Sequence, residues 1–118
     1  MEPIALAVIG GTGVYALAQL DDVTTVQVDT PYGAPSGPIR IGTLAGQRVA
    51  FLARHGEGHS IPPHKINYRA NIAALQQLGV SRVLALNTVG GISENWGPQV
   101  LGCPDQLIDY TWGRISTV

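Results

Sequence analysis

At 118 residues the chain is long enough for one domain with a core of its own and too short for two. Hydrophobic residues make up 45% and charged residues 13%, a globular rather than a disordered composition. Seven Lys and Arg against eight Asp and Glu give a net charge of −1. No broad positive field recruits nucleic acid or an anionic membrane, so any anion site must be built locally. The single cysteine, Cys103, excludes an internal disulfide, fits a reducing compartment, and reads as a small buried hydrophobe. With no basic–apolar–small leader pattern and no apolar run of membrane-spanning length, the expectation is a soluble, cytoplasmic protein.

The first element, residues 4–9, is a continuous apolar run ending in Gly10-Gly11-Thr12-Gly13. That pattern suits a strand covered on both faces, as in a mostly parallel sheet with helices packed on it. Residues 23–29, rich in Val and Thr, predict a second strand, with Asp21-Asp22 as a solvated turn before it. Residues 30–38 hold three prolines and two glycines and predict a loop. Residues 39–44 and 47–52 flank Ala45-Gly46 and predict a hairpin.

All three histidines then fall in one ten-residue window, 55–64, which follows the apolar run 49–52 and is punctuated by glycine and proline. It predicts a rigid loop at a strand end. Residues 65–78 carry apolar side chains at 66, 70, 73, 74 and 78, one face of a helix that Gly79 stops. Residues 82–86 predict another buried strand, running into Asn87-Thr88-Val89-Gly90-Gly91. Residues 100–101 and 106–108 are shorter strand candidates. The order of elements predicts an α/β class, a mixed β-sheet flanked by helices, in a single domain over 1–118.

Strands ending near 9, 53 and 86 each run into a polar or glycine-rich loop, and in α/β sheets ligands collect at the carboxyl ends of strands. Gly11 and Gly13 let backbone N–H groups approach an anion, and Thr12 adds a hydroxyl donor. Arg54 brings a planar fork suited to two phosphate oxygens, and His55 a further donor. Thr88 adds a hydroxyl and Val89 a backbone N–H. Each piece alone has an ordinary reading: a chain reversal, a solvated strand end, a turn-capping hydroxyl. Their shared position after three apolar strands favours a phosphate site.

Two other sites are weighed against it. Residues 11–16 fit G-x-G-x-x-A, with Asp29 as a ribose-binding acid, but nine residues between glycine turn and second strand are too few for a crossover helix. His55, His59 and His64, with Glu57, could ligate zinc. However, Gly56 and Gly58 oppose the helix that would align His55 with His59, and no cysteine or second acidic cluster completes the set.

Val8-Ile9-Gly10-Gly11-Thr12-Gly13, Thr30-Pro31-Tyr32-Gly33, Phe51-Leu52-Ala53-Arg54-His55-Gly56 and Pro62-Pro63-His64 followed by Ile66-Asn67-Tyr68-Arg69-Ala70-Asn71-Ile72 resemble the purine nucleoside phosphorylases, in their methylthioadenosine phosphorylase branch. Asn87-Thr88-Val89-Gly90-Gly91-Ile92 and residues 105–111 continue the resemblance in order. Val89-Gly90-Gly91 looks most like the methylthioinosine enzymes, whereas residues 94–99 lack the Pro-Gly-Asp pattern common in the family.

The resemblance implies the N-terminal part of a nucleoside phosphorylase-like domain that phosphorolyses a 5′-methylthio purine nucleoside to free purine and methylthioribose 1-phosphate. S-methyl-5′-thioinosine is the expected nucleoside and S-methyl-5′-thioadenosine the alternative. It implies phosphate contacts from Thr12, Arg54, His55, Thr88 and Val89, with Gly11, Gly13 and His59 supporting. It implies no metal or organic cofactor, phosphate being a co-substrate, and a homotrimer at full length. Family members continue for about as long again and carry their purine-binding residues there. Two expectations follow: a piece of an active phosphorylase, or a truncated chain that binds phosphate without catalysis.

Overall fold

The computed structural model describes residues 2–11 and 19–118. Five strands form one sheet in the order β2-β3-β4-β1-β5, namely β1 (Leu6–Gly10), β2 (Asp21–Val26), β3 (Ile39–Leu44), β4 (Gln47–Ala53) and β5 (Val83–Ala85). β1 runs parallel to β4 and to β5, while β3 is antiparallel to β4 and β2 antiparallel to β3. The mixed α/β sheet expected from the sequence is the one observed. The dinucleotide reading fails on topology. The second strand lies at the far edge, two strands removed from β1, and exposed Asp29 follows that strand.

Local chemistry explains the boundaries. β2 starts earlier than predicted because Asp21-Asp22 open the strand rather than form a turn. The pairing register shifts between Asp21 and Thr24, and Asp22 takes φ 50 there, as at a β-bulge. Between β3 and β4, Ala45 (φ 49) and Gly46 (φ 78) are both left-handed, the geometry of a two-residue type I′ hairpin loop.

The core lies between the sheet and the helix α1 (Tyr68–Gln77). Alternate residues of the central strands, Ala7 and Ile9, Ile39 and Ile41, Ala50 and Leu52, share a cluster with Ala74 and Leu75 of the helix. Alanines at 70, 73 and 74 are buried and let the helix lie close to the strands. The helix begins three residues later than predicted. Pro62 and Pro63 open a 3-10 turn, Ile66 is extended, and Asn67 caps the helix by accepting from the Ala70 N–H at 3.0 Å. Its end is as predicted. Gly79 at φ 77 closes a Schellman motif, Gly79 N to Gln76 O at 2.9 Å and Val80 N to Leu75 O at 3.1 Å.

Among the described residues α1 is the only α-helix. Three expectations are corrected. β5, predicted as buried, is exposed at all three residues, because α1 packs over β1, β3 and β4 and not over the edge. Residues 100–101 and 106–108 form no strand, and Cys103, predicted as buried, is exposed.

Candidate functional site

Because β4, β1 and β5 are adjacent and parallel, their carboxyl ends lie along one edge of the sheet. Gly10 is in register with Ala53, and Ile9 with both Leu52 and Ala85. The ladder continues just past the strands: Arg54 N donates to Gly10 O and Leu86 N to Ile9 O, both at 2.9 Å. Gly11, Arg54 and Asn87 therefore leave the sheet side by side. This juxtaposition follows from the strand order and needs no side chain to create it.

Arg54 reaches across the end of β1. Its Nη2 donates to Leu86 O at 2.8 Å and lies 3.4 Å from Ile9 O, so one guanidinium ties the ends of all three strands. Both acceptors are neutral carbonyls; they orient the fork without cancelling its charge. Gly11 makes room for it, since a Cβ there would stand 2.7 Å from Nη1. A half-buried, pre-oriented cation with neutral partners is suited to an oxyanion.

His55 is held twice by Ile61. The Ile61 N–H donates to His55 O at 2.9 Å, and His55 Nδ1 lies 2.9 Å from Ile61 O. A carbonyl only accepts, so in this geometry Nδ1 carries a proton and donates it to Ile61 O. The loop between them is tightly turned, with Gly56 at φ 76, Gly58 at φ 69 and His59 at φ 55. Gly56 is also required sterically: a Cβ there would meet Ser36 O at 2.9 Å.

These groups open onto a cleft of about 260 Å³ lined by Gly11, Arg54, His55, Pro63, Ile66, Tyr68, Asn87 and Thr88. One side is polar (Arg54, His55, Asn87, Thr88) and the other carries proline, isoleucine and tyrosine. Pockets for whole small-molecule ligands run roughly 300–1,000 Å³, so this one suits an oxyanion and part of a second reactant. Two lining residues are joined, Tyr68 Oη donating to Pro63 O at 3.4 Å, and beside them the capping Asn67 donates from Nδ2 to Tyr32 O at 2.8 Å.

Of the residues singled out in the sequence, Gly11, Arg54, His55 and Thr88 come together in this cleft. Val89 follows Thr88 but is 81% exposed and outside the lining. His59 is also outside it, its ring packed on His55 at 4.4 Å between centroids. Thr12 and Gly13 lie outside the described residues. His64 sits in the separate 3-10 turn Pro63–Lys65, and among the described residues no group of three His, Cys, Asp or Glu side chains is placed to hold a metal. No helix of the described residues is long and apolar enough to cross a membrane.

The family model described as the phosphorylase superfamily matches residues 5–117. The chain belongs to the phosphorylase superfamily. A probable S-methyl-5′-thioinosine phosphorylase of Xanthomonas campestris pv. campestris is 82% identical over 114 residues, which cover 97% of this chain and 46% of that protein. A purine nucleoside phosphorylase of Streptomyces coelicolor is 54% identical over 112 residues, 95% of this chain and 39% of its own length. Among solved structures, a methylthioadenosine phosphorylase from an Antarctic soil metagenomic library has a TM-score of 0.65 at 45% identity, over 72% of this chain and 30% of that one. The chain spans about half the length of the curated relatives it matches.

Four residues of this phosphorylase-superfamily cleft were given no role from sequence: Pro63, Ile66, Tyr68 and Asn87. Asn87 was within reach, since it adjoins Thr88 at the end of a predicted strand. Tyr68 had no such signal. It lines the cleft as the first residue of α1, beside the histidine loop.

Proposed function

We propose that this chain supplies the phosphate-binding half of a purine nucleoside phosphorylase acting on 5′-methylthio nucleosides, S-methyl-5′-thioinosine foremost. The observation that carries the reading is the placement of Arg54, His55, Thr88 and Gly11 in one cleft at the ends of three parallel strands. The names of the relatives with the highest identities quoted above support the choice of nucleoside, and the methylthioadenosine phosphorylases among the solved structures support the 6-amino nucleoside as alternative.

In this reading Arg54, His55, Thr88, the Val89 N–H and Thr12 hold phosphate, with Gly11, Gly13 and His59 in support. A phosphate oxygen forms the bond to C1′ of the sugar as the glycosidic bond breaks. The electron pair leaves with the purine, which takes up a proton. The nucleophile belongs to the co-substrate, so the chain contributes positioning and electrostatic support for a ribosyl cation beside a phosphate anion rather than an attacking side chain. Neither metal nor organic cofactor enters the scheme. The full-length protein is proposed to be a cytoplasmic homotrimer.

The cleft volume favours a second reading for the 118-residue chain taken alone: it binds phosphate without turnover. Titration with inorganic phosphate, followed by incubation with phosphate and methylthioinosine, separates the two. Binding with release of free base supports the phosphorylase; binding without it supports the second reading. Arg54→Ala removes charge-assisted hydrogen bonds worth roughly 1.5–3 kcal/mol each, so phosphate affinity should fall at least about tenfold. Arg54→Lys keeps the charge, loses the fork, and should fall between. Native-like phosphate affinity in a folded Arg54→Ala chain would overturn both readings.

A further inference from the structure

We infer that Asn71 is a positioning residue for the histidine loop: through Ser36 it fixes the surface on which the turn after His55 is seated. The inference rests on the phosphate reading above for its effect on binding, whereas the chain of contacts stands without it. Asn71 lies in α1, outside the cleft lining, and is 2% exposed. Its Oδ1 accepts from the Ser36 N–H at 2.8 Å and its Nδ2 donates to Ser36 Oγ at 3.0 Å. A backbone N–H only donates, so the amide has one possible orientation, and both of its ends engage a single residue.

Ser36 passes that constraint on. Its carbonyl faces Gly56, where a Cβ would stand 2.9 Å from it. Gly37 backs onto the same turn, a Cβ there lying 3.9 Å from the Glu57 nitrogen and from the Gly56 Cα. Gly56 is buried at φ 76, and a Cβ on it would also meet Ile61 Cδ1 at 3.2 Å and Ser60 Oγ at 3.3 Å. The turn is therefore enclosed between residues 36–37 on one side and 60–61 on the other. Ile61 in turn holds the backbone of His55, its N–H donating to His55 O at 2.9 Å. A shift of Ser36 thus reaches the His55 main chain through close contacts at Gly56.

The helix face argues against Asn71 as filler. The other buried residues of α1 are Ala70, Ala73, Ala74 and Leu75, all apolar. An apolar side chain at 71 would fill space without desolvating polar groups. Paired hydrogen bonds offset that desolvation and add a direction that apolar packing lacks. Direction is what a loop carrying a phosphate ligand requires.

The test compares Asn71→Ala and Ser36→Ala with Ile41→Val, which weakens the core at β3, each at a temperature where the chain is fully folded. Affinity for inorganic phosphate should fall about three- to tenfold in Asn71→Ala, as expected for one hydrogen bond to the anion lost when the loop shifts, less in Ser36→Ala, and not at all in Ile41→Val. Without phosphate, hydrogen exchange at the Gly56 and Ile61 amides of Asn71→Ala should accelerate at least about tenfold relative to the amides of β4. In the native chain, saturating phosphate should slow the Ser36 and Ile61 amides by the same factor, since ligand binding and loop opening are linked.

Native phosphate affinity in folded Asn71→Ala would overturn the inference, as would an equal fall in Ile41→Val, the mark of a merely structural role. If Asn71→Ala does not fold, the native chain and Ser36→Ala decide: a Ser36 amide indifferent to phosphate while Ile61 is slowed breaks the link. If the native chain fails to bind phosphate, the functional reading fails, and loop exchange in the two alanine variants still decides the role of Asn71.

Discussion

At Gly11 a single added carbon separates the two jobs of the Arg54 guanidinium. The Cβ of an alanine there would fall 2.7 Å from Nη1, the far end of a flexible side chain, and 3.5 Å from Leu86 O, an ordinary contact. The side chain yields before the backbone does, so Gly11→Ala should displace the fork while leaving the sheet in place. We expect phosphate affinity to drop about tenfold with a stability change of no more than about 1 kcal/mol. Parallel phosphate titration and thermal melting check this; an unfolded variant, or one with native affinity, contradicts it. The same scale shows what could be read from residue types alone. Arg54, His55 and Thr88 were legible because each follows an apolar run and has an obvious affinity for anions. Tyr68 and Pro63 were not, because their place in the cleft depends on where a helix starts, which no residue type states.

Between elements, the most exacting contact is a buried amide. Asn71 in α1 is 2% exposed; its Oδ1 accepts from Ser36 N at 2.8 Å and its Nδ2 donates to Ser36 Oγ at 3.0 Å. Four residues earlier, one helical turn away, Asn67 Nδ2 holds Tyr32 O, and the Arg69 guanidinium lies 4.6 Å over the Tyr32 ring. The proline-rich loop over residues 30–38 is thereby pinned to the helix that walls the cleft. Replacing Asn71 with alanine leaves the buried Ser36 N–H and hydroxyl without these partners, and we expect a loss of about 2–3 kcal/mol in denaturant unfolding. A loss under about 0.5 kcal/mol, the level of an ordinary surface change, would show the clamp to be incidental. The helix face was legible from its apolar spacing, and the hairpin from Ala45-Gly46. The asparagines were not, since a polar residue on an apolar face signals burial only once its partner, 35 positions away for Ser36, is known.

At the scale of the whole molecule, exposure gathers at the edge strand β5 and in the residues that follow it. The radius of gyration is 15.0 Å, against about 13.5 Å expected for a compact domain of this length, because residues 87–118 run over the exterior exposed. β5 has one neighbour among the described strands, and Val83 and Leu84 stand 45% and 47% exposed on it. Its apolar sequence predicts burial. Composition records the environment a strand suits, whereas burial depends on what packs against it, and α1 stops short of this edge. An apolar strand with a free side recruits another chain, and an edge lysine is the usual device against that. The 118-residue chain should therefore associate as concentration rises in sedimentation velocity. Leu84→Lys should shift it towards monomer without lowering phosphate affinity, since Leu84 lies outside the cleft lining. Equal association in both chains would place the contact elsewhere, on the exposed aromatic and aliphatic side chains after residue 88 such as Trp96, Leu101 and Trp112, and would leave the β5 edge with no part in it.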